Sequence, residues 1–138
     1  MSTLTQLAEL VATTLEAEAF SIPLTPQVSH FPRFDLLPEN GLQVTVRPAE
    51  EISSLEGRAL FLKTFSIEIG FAQALADLTE ETLTPLLALI DEVKIFCEGR
   101  PFTGIGRSLV GIAVVAADPA ALREKVFLSV IRLQFRGI

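Results

Sequence analysis

His30 is the only histidine in the sequence, and it is the first candidate for acid–base chemistry. A Ser-His-Asp or Cys-His site in this chain would have to use it as the base. Pro26 and Pro32 flank His30 in a segment with an irregular pattern, and no nucleophile motif lies nearby. We therefore interpret His30 as a surface or lightly packed residue.

Cys97 is the second candidate, and we expect it to be a buried structural residue. It lies on the apolar stripe of a predicted helix, close to Gly99, which marks the helix C-terminus. An activated thiolate needs a nearby cation or a helix N-terminus, whereas the dipole at a helix C-terminus opposes negative charge. A single cysteine also forms no internal disulfide, which fits a reducing compartment.

The loop from Gly104 to Arg107 resembles part of a phosphate-binding loop. It has two glycines but lacks the third glycine and the Lys-Ser/Thr pair, and the pattern predicts no helix after it. We interpret it as a flexible, hairpin-like loop that could reach a neighbouring subunit.

Two acidic pairs, Glu80-Glu81 and Asp91-Glu92, could in principle bind a metal ion. Adjacent residues on a helix do not share a face, and no His or Cys joins either pair. Both pairs fit solvated surface. The sequence thus predicts no catalytic residue, no cofactor-binding residue and no metal ligand.

The composition indicates a single domain, residues 1–138, that uses some of its apolar surface to bind a partner. Hydrophobic residues make up 49% of the chain and charged residues 20%, which argues against disorder. The formal net charge is −6, and the eleven basic residues are scattered along the chain. Because duplex binding depends on Lys and Arg at several phosphates, nucleic-acid binding is disfavoured.

No feature of the sequence predicts a membrane protein. The segment Met1 to Phe20 has no Lys or Arg and contains three glutamates, unlike a signal peptide. The longest apolar run, Leu109 to Ala117, is far shorter than the ~20 residues that span a bilayer. We expect a soluble protein that is intracellular when made.

Strands are predicted where apolar and polar residues alternate, and helices where apolar residues recur every three or four positions. The clearest strand lies within Phe61 to Phe71, where every second residue from Phe65 is apolar. The predicted elements are a helix over Thr3–Ala19 capped at Thr3, an edge strand or strap over Val28–Leu37, a turn at Asn40-Gly41, a strand over Leu42–Arg47 ended by Pro48, a loop over Ala49–Gly57, the strand over Phe61–Phe71, a helix that starts at Asp77 or at Pro85 and ends at Gly99, a loop over Arg100–Ser108, a central strand over Leu109–Ala117, a short helical turn over Asp118–Arg123 and a strand over Val126–Phe135.

These elements predict an α+β domain. We expect the order α-β-β-α-β-β and an antiparallel sheet with helices packed on one face. The strand before Pro48 and the long strand that follows are expected to be antiparallel neighbours.

The last predicted strand separates apolar side chains from charged ones. Val130, Arg132 and Arg136 lie on the face opposite Phe127 and Ile131. This pattern is typical of the wet face of a sheet. Because Val130 leaves the charged face partly apolar, a second interpretation is a subunit interface formed by these three residues.

The succession FPRFDLLPENGLQVTVRP, FSIEIGFAQAL, a Leu-rich helix ending in FCEGRPF, and VFLSVIRLQF resembles small tail-terminator, or tail-completion, proteins of tailed bacteriophages and prophages. The likeness runs from about Phe20 to the end of the chain, and it includes the order of elements predicted above. This group shares patterning more than invariant residues, and it has no active-site motif.

The resemblance implies a structural virion protein without enzymatic activity. Such proteins assemble into a ring, commonly a homohexamer, that caps the finished tail tube and ends its polymerisation. The implied partners are other copies of the chain, the tail tube protein and a neck or head-completion protein, while DNA passes through the lumen without specific binding. The implied location is the head-proximal end of the virion tail, after assembly in the bacterial host cytoplasm.

Two alternatives remain open. The first is a neck or head-closure protein of the same virion. The second is a small α+β enzyme or ligand-binding domain with a pocket between the sheet and the second long helix, near Arg100 to Arg107. An enzyme concentrates ionisable residues in a cleft, and the sequence shows no such concentration.

Overall fold

A computed structural model describes residues 2–29, 41–57, 60–103 and 106–137. Within these ranges the chain forms a mixed α+β fold with a five-stranded sheet and three helices. In chain order the elements are α1 (Thr3–Ala17), β1 (Gln27–Val28), β2 (Gln43–Glu56), β3 (Leu60–Ala74), α2 (Glu80–Glu98), β4 (Ser108–Val115), α3 (Pro119–Arg123) and β5 (Val126–Gly137).

The predicted order α-β-β-α-β-β is wrong, because the chain follows α-β-β-β-α-β-α-β. The predicted order did not count two short elements, the strap that overlaps β1 at Val28 and the helical turn over Asp118–Arg123 that is α3. Elements this short contain too few residues to show a period of 2 or 3.6. Asp118 does cap α3, since its side chain accepts a hydrogen bond from the Ala120 amide at 3.3 Å.

Strand β3 occupies the centre of the sheet, whose strand order is β1-β2-β3-β5-β4. Its apolar residues Phe65, Ile67, Ile69 and Phe71 are fully buried. They face the two long helices, which pack on the same side of the sheet, so the alternation along β3 sets which face of the sheet becomes the core. The core joins these residues to the apolar stripes of α1 and α2, including Leu7, Val11, Leu15, Leu89, Val93 and Cys97.

Strand β2 does not end at Pro48, as the sequence predicted. It continues to Glu56 and pairs with β3, so the predicted loop from Ala49 to Gly57 is mostly strand. The register shifts between Pro48 and Glu50, which indicates a β-bulge. In the described part of the chain β1 covers β2 only at Thr45 and Val46, and proline is tolerated at such an edge because its missing N–H has no ladder partner to lose.

The sheet is not wholly antiparallel. Strand β1 pairs with β2 in parallel, and the Ser29 amide extends this pairing with a hydrogen bond of 3.0 Å to the Val46 carbonyl. The remaining neighbours are antiparallel. The predicted strap over Val28–Leu37, except its first two residues, and the turn at Asn40 lie outside the described residues.

Strand β4 is an edge strand, although its apolar run predicted a central strand covered on both faces. Among the described residues it pairs with β5 alone. Val110 is 48% exposed and Val115 is 61% exposed. An apolar run shows that a strand avoids water, and it does not show whether its own chain or another covers it.

Both long helices begin one or more residues away from the predicted cap. Ser2, not Thr3, caps α1 by accepting a hydrogen bond from the Thr5 amide at 3.1 Å. Thr79 caps α2, so neither predicted start is right, and Pro85 lies inside the helix. Gly99 is the C-cap of α2, as predicted.

Replacing Ile67 with Asp is expected to unfold the protein. Ile67 is fully buried, and an unpaired buried carboxylate lowers the free energy of unfolding by roughly 4 kcal/mol or more. Urea denaturation followed by circular dichroism measures this change. Ser53→Asp places the same charge at an exposed strand position and is the control. An unchanged unfolding midpoint for Ile67→Asp would show that the core is not where β3 places it.

Candidate functional site

We call the side of the sheet turned away from α1 and α2 the open face. On β5 every second residue from Phe127 to Phe135 is buried on the side of the helices, and Ser129 is the polar one among them. The residues between them point to the open face. Val130, Arg132 and Arg136 therefore lie on one face, where the alternation placed them. Val130 and Arg132 are half-buried, and Arg136 is exposed.

A row of charged residues crosses the open face. Arg47 on β2 lies opposite Glu68 on β3, and Glu68 lies opposite Arg132 on β5. Arg47 forms an ion pair with Glu68, and the Arg132 Nη2 lies 3.6 Å from the Glu50 Oε2. These side chains are partly exposed, so each pair contributes at most about 1 kcal/mol to stability. The pairs instead fix the orientation of the charges across the face.

Arg136 lies at the end of this face, opposite Thr64 on β3 and Ser108 on β4. It makes no ion pair with the residues that the structure describes. Its charge is therefore the one on β5 that is most accessible to a partner.

A small apolar depression lies beside Val130. It has a volume of about 210 Å³ and is lined by Val115, Asp118, Leu128, Ser129 and Val130. The Ser129 hydroxyl donates a hydrogen bond of 2.7 Å to the Val115 carbonyl, which joins β5 to β4 at this point. The depression thus has an apolar wall and one carboxylate, without a group suited to catalysis.

A second concave surface lies between the C-terminal part of α2 and β4, and we call it the α2–β4 groove. It has a volume of about 310 Å³, and Lys94, Glu98 and Arg100 line one side of it. The segment from Leu109 to Ile112 forms the other side. The Lys94 Nζ lies 4.0 Å from the Glu98 Oε1, so Arg100 leaves the lining with a net positive charge. This groove is where the ligand-binding alternative placed its pocket.

Cys97 is fully buried on α2. Burial, and to a smaller extent the negative charge of Glu98, raise the pKa of the Cys97 thiol to about 12. A thiol with such a pKa is protonated at neutral pH and is a poor nucleophile. The structure therefore places Cys97 in the core.

The other sequence candidates have structural partners where they are described. The Glu92 carboxylate accepts hydrogen bonds from the backbone amide and hydroxyl of Ser21. Glu80 and Glu81 lie in the first turn of α2, where the helix dipole favours negative charge. Arg107 packs its guanidinium 4.8 Å from the ring centroid of Phe65.

His30 and half of the glycine loop, Gly104 and Ile105, lie outside the described residues. Among those that are described, no three His, Cys, Asp or Glu side chains cluster in a way that could hold a metal ion. In the same part of the chain, no helix is long and apolar enough to cross a membrane.

The sequence did not indicate the exposed apolar residues at the two sides of the sheet. Ile52, Leu55 and Phe61 are 52%, 57% and 51% exposed in the β2–β3 hairpin. The hairpin extends past β5, whose last residue Gly137 lies opposite Lys63. Ile52 and Leu55 after Pro48 could have indicated an apolar strand, but the sequence predicted a loop there.

No protein-family model matches the chain, and no curated protein matches its sequence. The likeness to tail terminators therefore depends on the residue patterns alone.

Cys97 provides a test of the core around α2 through the pH dependence of stability. The unfolded thiol has a pKa of about 8.5, whereas the folded thiol keeps its proton to about pH 12. The contribution of Cys97 to stability is thus complete below pH 8.5 and falls as the pH rises through this window, by up to about 1.4 kcal/mol per pH unit.

The measurement compares urea unfolding of the protein and of Cys97→Ala between neutral pH and pH 10. We expect the parent to lose stability more steeply than the variant, which lacks the thiol. Equal slopes would contradict the buried, neutral thiol.

Proposed function

We propose that this protein is a structural component of a tailed bacteriophage or prophage virion, and that it acts as a tail terminator. Copies of the chain assemble into a ring, expected to be a hexamer, on the head-proximal end of the tail tube. The ring stops further addition of tube protein and offers a surface to the neck or head-completion protein. Its action is assembly and involves no covalent chemistry.

The observation that carries this proposal is the exposed apolar surface at both sides of one sheet. Leu55 and Phe61 project from the β2–β3 hairpin, and Val110 and Val115 lie on β4 at the other side. A soluble protein exposes apolar side chains singly without consequence, but groups of them at element edges indicate interaction surfaces. Two different patches on opposite sides fit a head-to-tail contact, which is the type of contact that generates rings.

The charge of the chain supports passage of DNA through such a ring. With a formal net charge of −6, the subunit repels phosphates more than it binds them, so DNA would slide without sequence-specific contacts. On the open face, Arg47 and Arg132 are partnered by glutamates, which lowers their affinity for phosphate.

The open face is the second surface in this proposal. Val130, Arg132 and Arg136 are proposed as residues that contact a neighbouring subunit. Arg136 is the strongest candidate for a subunit contact among the three, because Arg132 already interacts with Glu50 within its own chain.

A small ligand-binding domain is the alternative from another class, and the α2–β4 groove is the observation that favours it. The positive charge of Arg100 beside apolar β4 residues would suit an anionic ligand with an apolar part. Such a domain needs no ring to bind its ligand, so a strict monomer would favour it over the tail terminator.

Size-exclusion chromatography with light scattering tests the ring directly. We expect a discrete species at a multiple of the chain mass, six for a hexamer, whose population increases with protein concentration. Negative-stain electron microscopy of this species is expected to show rings, and added tail tubes to carry one ring at one end. A monomer at every concentration, with and without tubes, would contradict the proposal.

Arg136→Glu is expected to weaken assembly without affecting folding. Arg136 is exposed and has no ion pair with described residues, so its reversal changes the free energy of unfolding by about 0.5 kcal/mol or less. Reversal of Arg132 is less informative, because it would place a new carboxylate beside Glu50 and Glu68.

The control is Arg123→Glu, which makes the same change of charge on α3. Light scattering should show a smaller oligomer population for Arg136→Glu than for Arg123→Glu at equal concentration. Equal populations would remove Arg136 from the contact surface.

A further inference from the structure

Strand β4 leaves an edge of the sheet without the usual protection against pairing. Its eight residues include no charged residue and no proline. Val110, Val114 and Val115 are all exposed, at 48%, 38% and 61%. Natural edge strands normally carry Lys, Pro or an inward charge, because an apolar edge pairs with other strands. The register with β5 shifts between Leu109 and Gly111, which indicates a β-bulge at Val110, so the regular part of the free edge is Gly111–Val115.

The distal part of β2, Glu50–Glu56, forms the opposite edge. It pairs with β3 on one side, while β1 reaches no farther than Val46 and Ser29 adds one bond there. Among the described residues, nothing pairs with its other side. The segment is exposed throughout, and Ile52 and Leu55 are the apolar residues within it.

The two edges belong to one sheet and lie on opposite sides of it. The β4 edge of one copy can therefore pair with the distal β2 edge of the next copy, and each edge then makes only one contact. Such a contact is head-to-tail and repeats from copy to copy, giving a ring if the rotation closes and a filament if it does not. The β-strands of successive copies would then form one continuous sheet, as in other cases of strand addition.

The charges of the two edges are complementary. From Ala49 to Gly57 the chain has three glutamates and no Lys or Arg. The α2–β4 groove borders β4 with Lys94 and Arg100 on its α2 side, against the single carboxylate of Glu98. Beyond the bulge, Glu51 and Leu55 lie on the helix-covered face of β2, whereas Glu50 and Glu56 lie on the open face. A strand added along β4 would thus bring Glu51 to the positively charged wall on the α2 side, which favours this pair of edges over two β2 edges or two β4 edges.

We propose that the distal part of β2 in one copy occupies the α2–β4 groove of a second copy and pairs with the free edge of β4. Leu55 and Ile52, which lie on opposite faces of β2, contact the exposed valines of β4, and Glu51 lies near Arg100 and Lys94. The occupant of the groove is thus a second copy of this chain and not a small anionic ligand. This inference rests on the proposed function, which requires that the chain self-associates. It adds which surfaces of two copies meet.

Chemical crosslinking of paired cysteine variants tests the contact. Leu55→Cys and Val110→Cys are made in separate full-length chains, one with a size tag, and the two are mixed and treated with a short bismaleimide. Native Cys97 is fully buried and stays in both chains. Glu9→Cys, at an exposed position on α1, replaces Leu55→Cys in the control mixture.

We expect the Leu55→Cys and Val110→Cys mixture to give at least about tenfold more tagged heterodimer than the control mixture. Each variant alone should give little crosslinked product, because the proposed contact does not bring two copies of the same position together. A yield equal to that of the control, or dominant crosslinks between identical positions, would overturn the contact.

Charge reversal provides the second readout. Glu51→Lys and Arg100→Glu, each alone, are expected to weaken self-association by about three- to tenfold, as the loss of one charge pair at an interface does. The chain with both changes is expected to recover most of this loss, since the charges remain complementary. Additive weakening in the double variant would contradict the proposed pairing of edges.

The outcomes separate this contact from the proposed function. Discrete oligomers without the Leu55–Val110 crosslink overturn the contact and leave the ring in place. A strict monomer overturns both. The specific crosslink together with failure to cap tail tubes supports the contact and overturns the virion role.

Discussion

The burial of one face of β3 is the interaction on which the rest of the structure depends. Phe65, Ile67, Ile69 and Phe71 are fully removed from water by α1, α2 and the neighbouring strands. Because successive strand residues point to opposite faces, this burial also decides that Glu68 points to the open face. Both candidate assembly surfaces, the open face and the two sheet edges, follow from the way this central strand is covered.

The sequence predicts best where a period is long and one face is buried. The alternation in β3 and β5 correctly located those strands, and it placed Val130, Arg132 and Arg136 on a common face. The two-residue β1 and five-residue α3 were lost from the predicted order, because so few residues carry no period. Pro48 was treated as a stop, although a proline at a bulged edge leaves a strand intact.

The position of β4 was the most informative error. Its apolar run correctly indicated a strand that avoids water, but the sequence contains no information on which chain supplies the cover. In the described structure β5 covers one side of β4, and the other side stays exposed with its valines. The same reasoning applies to the β2–β3 hairpin, where Ile52 and Leu55 lie in a segment that the sequence predicted as a loop. The candidate assembly surfaces thus lie where the sequence pattern predicts buried apolar residues but the single chain leaves them exposed.

In the proposed assembly, the spare apolar surface of this domain is matched by copies of itself at both edges of the sheet. Amide hydrogen exchange at increasing protein concentration tests this claim most directly. We expect amides in Ser108–Val115 and in Glu50–Glu56 to gain protection together as the protein concentration rises, while those of α1 stay unchanged. Exchange that is independent of concentration in both segments, or protection of one edge without the other, would contradict it.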